Sequence, residues 1–176
     1  LERIGEGRFA VAWLSSIDPN SQAAHVILRI YETSSPQVTG VRLGNAAGGS
    51  WAPEVGTGAQ LKSVPLSGVN TVSLVFSKDV LVQQPDLVVT GSSGSPYAFS
   101  GFSYNTATFT ATWTLTSPIN NDQLTLRLNA NGVGPVRDSV GNRLDGEWDN
   151  PTSLADPTSS QFPSGNGLIG GNFVFQ

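Results

Sequence analysis

The sequence predicts an all-β chain, and three observations carry the prediction. Apolar residues recur in short runs of period two, bounded by Gly, Pro, Asn and Ser. Only 12% of the 176 residues are charged, about half the usual roughly 25%. Thr, Ser, Asn and Gly fill the polar positions instead, which suits strand faces rather than helix faces, where Glu, Lys and Arg are favoured. No segment sustains a helical apolar period with caps.

The elements follow in order. Phe9-Ala-Val-Ala-Trp13-Leu14 is a near-continuous apolar run, as for a strand covered on both faces. His25-Val-Ile-Leu-Arg-Ile-Tyr31 alternates, with Val26, Leu28 and Ile30 on one side. A boundary near Thr33-Ser-Ser-Pro36 sets residues 1–34 apart as a β-hairpin or terminal repeat unit, leaving 35–176 as a β-sandwich. An isolated hairpin is marginal in water, so this one needs a surface to pack on. Val41 with Leu43 marks the next strand. Thr71-Val-Ser-Leu-Val-Phe-Ser77 places Val72, Leu74 and Phe76 together, and Leu87-Val-Val-Thr90 is short and apolar. In Thr108-Phe-Thr-Ala-Thr-Trp-Thr-Leu115, Phe109, Ala111, Trp113 and Leu115 face one way and threonines the other. Leu124-Thr-Leu-Arg-Leu128 and Phe173-Val-Phe175 complete the set. The predicted core is Val72, Leu74, Phe76, Phe109, Trp113, Leu124, Leu126 and Leu128, with Thr108, Thr110 and Thr112 more open.

Two stretches rich in Gly, Pro and Ser read as long loops, 44–68 and 143–171. Loops of this length are functional or need anchors of their own. Trp51 and Leu61 are the candidate anchors of the first, Trp148 and Phe162 of the second. A loop tryptophan serves either as a lid on the core or as a platform for a ligand.

Composition excludes several classes. Net charge is −4 with two lysines, Lys62 and Lys78, so no basic patch exists to neutralise phosphates and nucleic acid is not an expected partner. No apolar run reaches bilayer-spanning length, so membrane insertion is not expected. Cysteine is absent, which removes disulfides, thiolate metal sites and thiol nucleophiles. A chain without methionine that begins at Leu1 reads as a processed product or an excised piece.

The candidate chemistry is sparse. Asp138, Asn142, Asp145, Glu147 and Asp149 cluster in a turn-rich segment. Oxygen ligands at that density suit calcium, with Asp138, Asn142, Asp145 and Asp149 as candidate ligands. The competing reading has Asp138 and Asn142 bonding to local backbone, with Gly141 or Asn142 at positive φ. Gly165-Asn-Gly-Leu-Ile-Gly170 matches a dinucleotide-binding string but lacks the strand and helix that string requires. His25, the one histidine, has no nucleophile or acid marked out to work with it. Lys78 sits in a Ser77-Lys-Asp79 turn, where solvent is a better reading than a buried Lys–Asn cross-link. No catalytic residue is assigned, and a non-enzymatic chain is expected. Trp51, Tyr97, Tyr104 and Trp148 are the candidate ligand-binding aromatics.

From Pro36 onward the sequence resembles bacterial immunoglobulin-like domains of S-layer and other large surface proteins. The resemblance lies in Pro36-Gln-Val-Thr-Gly-Val41, in Val69-Asn-Thr-Val-Ser-Leu-Val-Phe-Ser-Lys-Asp-Val80 and in the Asp138-Ser-Val-Gly-Asn142 turn. Gly7-Arg-Phe-Ala-Val-Ala-Trp13 with Val26-Ile-Leu-Arg-Ile-Tyr31 is similar to one unit of the D-G-x-F-V-V-x-W repeats of large secreted bacterial proteins. These resemblances imply an Ig-like β-sandwich, with an N-terminal hairpin, on the bacterial cell surface or outside the cell. They imply a structural or interaction module whose partners are other domains of a parent protein or identical subunits. Separately, the apolar terminal strands Phe9–Leu14 and Phe173–Phe175 suit strand addition to a neighbouring chain, which when repeated builds a filament; the competing reading is that residues 1–34 end a preceding repeat and pack locally. A carbohydrate-binding module that takes polysaccharide on its exposed aromatics is the alternative. No calcium-binding dockerin loop occurs before Gln176.

Overall fold

The computed structural model describes the backbone of residues 2–5, 8–15, 25–32 and 34–176. It describes the side chains of Val11, Ala12, Val26, Ile27 and Leu28, and of residues 34–176. The chain divides into two compact units, Leu1–Ser34 and Ser35–Gln176.

The first unit is an antiparallel sheet of β1 (Glu2–Gly5), β2 (Arg8–Ser15) and β3 (His25–Glu32), in that order. It has one strand more than the expected hairpin. Strand β1 reads Glu-Arg-Ile-Gly, with a single apolar residue, so it carries no period-two signal. Pairing with β2, irregular between Arg3 and Gly5, is what makes it a strand. Leu28 lies opposite Ala12 and Val26 opposite Leu14. Val26 and Leu28 are exposed, at 66% and 61%, so alternation there marks a face without burying it.

The second unit is a β-sandwich. Its larger sheet contains β4 (Val38–Asn45), β5 (Ser50–Trp51), β6 (Val69–Phe76), β8 (Phe99–Asn105) and β9 (Thr110–Ile119), ordered β5-β4-β6-β9-β8. The smaller contains β7 (Leu87–Thr90), β10 (Thr125–Leu128) and β11 (Phe173–Phe175), ordered β11-β10-β7. All pairings within these sheets are antiparallel. One apolar cluster joins them. Val41, Leu43, Val72, Leu74, Phe76, Ala111, Trp113 and Leu115 come from the larger sheet, and Leu87, Val89, Leu126, Leu128, Phe173 and Phe175 from the smaller. Full burial of each large side chain here stabilises the fold by about 1.5–3 kcal/mol. The Trp113 indole N–H, brought into this core, donates to the Gln84 carbonyl at 2.9 Å, so no polar atom is left stranded.

Two predicted core residues sit at the margin instead. Phe109 is half-buried and has φ +51, in a turn before β9 whose carbonyl accepts from Phe76 N–H. A residue in the left-handed region breaks the alternation that pointed it inward. Leu124 precedes β10 and is likewise half-buried. Thr108 is open, whereas Thr110 and Thr112 are half-buried, the latter paired to the Ser73 hydroxyl at 2.8 Å.

Candidate functional site

The residues with chemical potential gather mainly where the long loops meet. Asn45 starts the first loop by closing a turn: its Oδ1 accepts from Gly49 N–H at 2.8 Å. A 3-10 turn at Ala59–Leu61 then presents Gln60 to the second loop. Buried Gln60 donates to Asn150 Oδ1 at 2.8 Å and to the Gln176 carbonyl at 2.7 Å, and its Oε1 accepts from the Trp148 indole at 3.2 Å. Gly58, with φ +76, packs so closely on the second loop that a Cβ there would strike the Ser153 and Leu154 backbone. The two loops are thus pinned to each other as well as to the core.

Trp148 is the centre of the second loop. Its ring lies 4.7 Å from Phe162 and 5.6 Å from both Phe173 and Phe175, and only 8% of it is exposed. It is a core lid and not a ligand platform. Asn150 follows, donating to Val174 O and accepting from Gln176 N–H, both at 2.9 Å. Beyond it the buried Asp156 accepts from the N–H and hydroxyl of both Thr152 and Thr158, at 2.7–2.9 Å. The backbone N–H of Thr152 leads the interactions that hold its carboxyl well below the usual carboxylate range.

The acidic cluster is divided among separate local tasks. Asp138 Oδ1 accepts from Val140 and Asn142 N–H at 3.1 and 2.8 Å. Its Oδ2 accepts from Asn142 Nδ2 at 3.0 Å and lies 3.5 Å from Lys78 Nζ. Gly141 takes φ +95 in this turn. Burial pushes the Asp138 carboxyl up, but the Asn142 donors and Lys78 outweigh it and the result is a lowered pKa. Lys78 is therefore drawn in by a carboxylate rather than left to solvent.

Asp145 performs a different task. Its oxygens accept from Asn166 and Gly167 N–H at 2.9 and 3.0 Å, holding the 165–170 turn against the body. A Cβ on Gly165, which has φ +100, would fall on this carboxylate. Ser164 completes the seam. Its hydroxyl donates to Asp145 O at 2.8 Å and accepts from Val38 N–H at 2.9 Å, while Asp145 N–H donates to Pro36 O at 2.9 Å. Glu147 lies beside this seam with Oε2 buried and without a hydrogen-bond partner. Burial, and the Asp145 carboxylate next to it, push the Glu147 carboxyl up. Asp149 is exposed, and its backbone pairs with Ser160. Among the described residues no group of three or more His, Asp or Glu side chains comes together to hold a metal ion.

No family model, curated protein or solved structure matches this chain.

The other sequence-derived candidates are dispersed. Trp51 is half-buried in β5, the edge strand. The Tyr97 hydroxyl donates to Asp122, which also accepts from the Ser92 hydroxyl and N–H. The Ser92 hydroxyl leads the donors that hold Asp122 well below the usual range. The Tyr104 hydroxyl donates to Asp79 and accepts from Val80 N–H at 3.0 Å, and burial first of all pushes it up to about 12. Tyr97 borders an open groove of about 460 Å³ with Gln84, Pro85, Val88, Pro96 and Phe99. The side chain of His25 lies outside the described residues. Sequence reasoning missed Gln60, Asn150, Asp156 and Ser164. Each belongs to a residue type common in any loop, and only its distant partner distinguishes it.

These carboxyl groups set a pH dependence. The lowered pKa values of Asp122, Asp138 and Asp156 give stability that is present above the ordinary aspartate value of 3.8 and lost as pH falls through the folded values. The raised Glu147 acts oppositely: its contribution is full below 4.5 and is lost as pH rises through the folded value. Glu147→Gln, which removes the charge that burial and Asp145 disfavour, should therefore raise the melting temperature at neutral pH and raise it less in mild acid. Thermal melts of both proteins across pH check this. A variant no more stable than wild type at neutral pH refutes it.

Proposed function

We propose that this chain is a non-catalytic structural and interaction module of an extracellular or cell-surface bacterial protein, with an Ig-like sandwich as its body. The observation that supports this reading is where the acids point. Asp86, Asp122, Asp138, Asp145 and Asp156 each accept from loop N–H groups, and all but Asp86 from hydroxyl or amide side chains as well. Catalysis by paired carboxylates needs acids that face a substrate across a cleft. Here their oxygens cap turns, which turns long loops into rigid connectors between strands. Rigid loops on a sandwich suit a spacer that carries load or presents neighbouring domains. The resemblance to surface-protein domains agrees with that role, and partners are other domains of a parent protein or identical subunits. Edge strands β5, β7, β8 and β11 offer routes for strand addition.

A polysaccharide-binding module is the second reading, favoured by the groove beside Tyr97 rather than by Trp148. One experiment separates them. The full chain is mixed with insoluble and soluble bacterial and plant polysaccharides, and depletion and released reducing ends are measured. Neither depletion nor release is expected. Saturable retention that is lost in Tyr97→Ala supports polysaccharide binding instead, and release of reducing ends overturns the non-catalytic reading. Sedimentation across a wide concentration range then reports whether the subunits assemble.

A further inference from the structure

The chain contains two Asn-Gly pairs, Asn131-Gly132 and Asn166-Gly167. Glycine has no Cβ to restrict its backbone, so its nitrogen can approach the side-chain carbon of the preceding asparagine. When that N–H loses its proton to hydroxide, the nitrogen bonds to Asn Cγ, the Cγ–Nδ2 bond breaks, and ammonia leaves with a proton from water. Water then opens the cyclic imide at either carbonyl, leaving aspartate or iso-aspartate. Water and hydroxide are the only co-reactants, and nothing is oxidised or reduced.

The fold treats the two pairs differently. At Asn166-Gly167 the nucleophile is restrained. Gly167 N–H donates to Asp145 Oδ2 at 3.0 Å and Asn166 N–H donates to Oδ1 at 2.9 Å. A carboxylate in contact with an amide disfavours an anionic nitrogen there, because two like charges would face each other. The carboxamide is restrained too, since Asn166 Oδ1 accepts from Leu168 N–H at 2.9 Å. At Asn131-Gly132 neither restraint exists among the described residues. Asn131 and Gly132 are exposed, and Gly132 N–H makes no hydrogen bond among the described residues. Gly132 has φ +88 and nothing within 4 Å of the place a Cβ would occupy, so the imide ring has room. The next residue, Val133, is fully exposed at 100%.

We propose that Asn131-Gly132 is a site of spontaneous covalent modification, at which Asn131 converts to aspartate and iso-aspartate while the fold protects Asn166-Gly167. The product adds a negative charge to the 131–134 loop, and iso-aspartate adds a backbone methylene beside Gly170, whose Cβ position lies 3.2 Å from Asn131 Oδ1. The proposal is independent of the functional reading above.

The test incubates the intact chain in mildly alkaline buffer and follows both peptides by mass, reading the exchange of –NH2 for –OH, and by enzymatic labelling of iso-aspartate. Asn131 should convert about ten- to a hundredfold faster than Asn166, the factor that a charge-assisted hydrogen bond supplies when it must first be broken. In concentrated urea the two rates should converge, because the flanking sequences then alone decide. Asp145→Ala, which removes the carboxylate without creating a new Asn-Gly pair before Gly146, should accelerate Asn166 toward the rate of Asn131. If that variant does not fold, the urea comparison decides by itself. Equal rates in the folded chain, or an Asn131 that stays intact when folded yet converts in urea, would overturn the proposal.

Discussion

Trp148→Ala should lower the unfolding free energy by about 3–5 kcal/mol, the usual loss for removing a buried tryptophan. The ring touches Phe162, Phe173 and Phe175 and is 8% exposed. Its removal leaves a cavity under the second loop. It also leaves Gln60 Oε1 without the indole N–H it accepts from, and a stranded acceptor adds to the loss. Trp148→Phe keeps most of the apolar area and should lose about 1 kcal/mol, the value of one neutral hydrogen bond. Urea denaturation checks both, read as a shift of midpoint at unchanged slope. A Trp148→Ala chain within about 0.5 kcal/mol of wild type would return Trp148 to the surface and to candidacy as a ligand platform.

Asp145→Ala is expected to cost about 3 kcal/mol. Two N–H groups, of Asn166 and Gly167, lose a charged acceptor, and hydrogen bonds to charged groups contribute about 1.5–3 kcal/mol each. The loss is local as well as global. The 165–170 turn should exchange its amide hydrogens faster, because this turn is what the carboxylate holds. Hydrogen exchange resolved by peptide is the measurement. Equal protection of that turn in both proteins would show that Ser164, whose hydroxyl links Asp145 O to Val38 N–H, holds it without the carboxylate. Added calcium should not restore the variant or change the wild type, since Asp138 and Asp145 already direct their oxygens to donors within the chain.

The strands were legible because a sandwich writes its own alternation. Val72, Leu74 and Phe76 in β6, Trp113 in β9, and Leu126 and Leu128 in β10 all point into the core their spacing foretold. Each needs only a covered face on one side, and that requirement acts residue by residue along the chain. Phe109 escaped the pattern because its own φ is positive, which takes it out of the strand's alternation just before β9 begins. Strand β1 left no pattern, since its pairing partner and not its own apolar content makes it a strand.

The candidate site was legible only in composition. Sequence alone established that Asp138, Asp145, Glu147 and Asp149 lie within one short segment, and left Asp138-Ser-Val-Gly-Asn142 open between a calcium site and a turn that caps itself. Whether those acids converge on one point or face apart is a matter of direction in space. Tertiary structure sent Asp138 to Lys78, Asp145 to the amides of Asn166 and Gly167, and Asp149 to solvent. It also buried Trp148 and joined Gln60 to Asn150, 90 residues away in sequence. Short-range periodicity governs which residues are covered. Long-range partners decide what a polar side chain does, because a hydrogen bond depends on positions that only the folded chain brings within 3 Å or so.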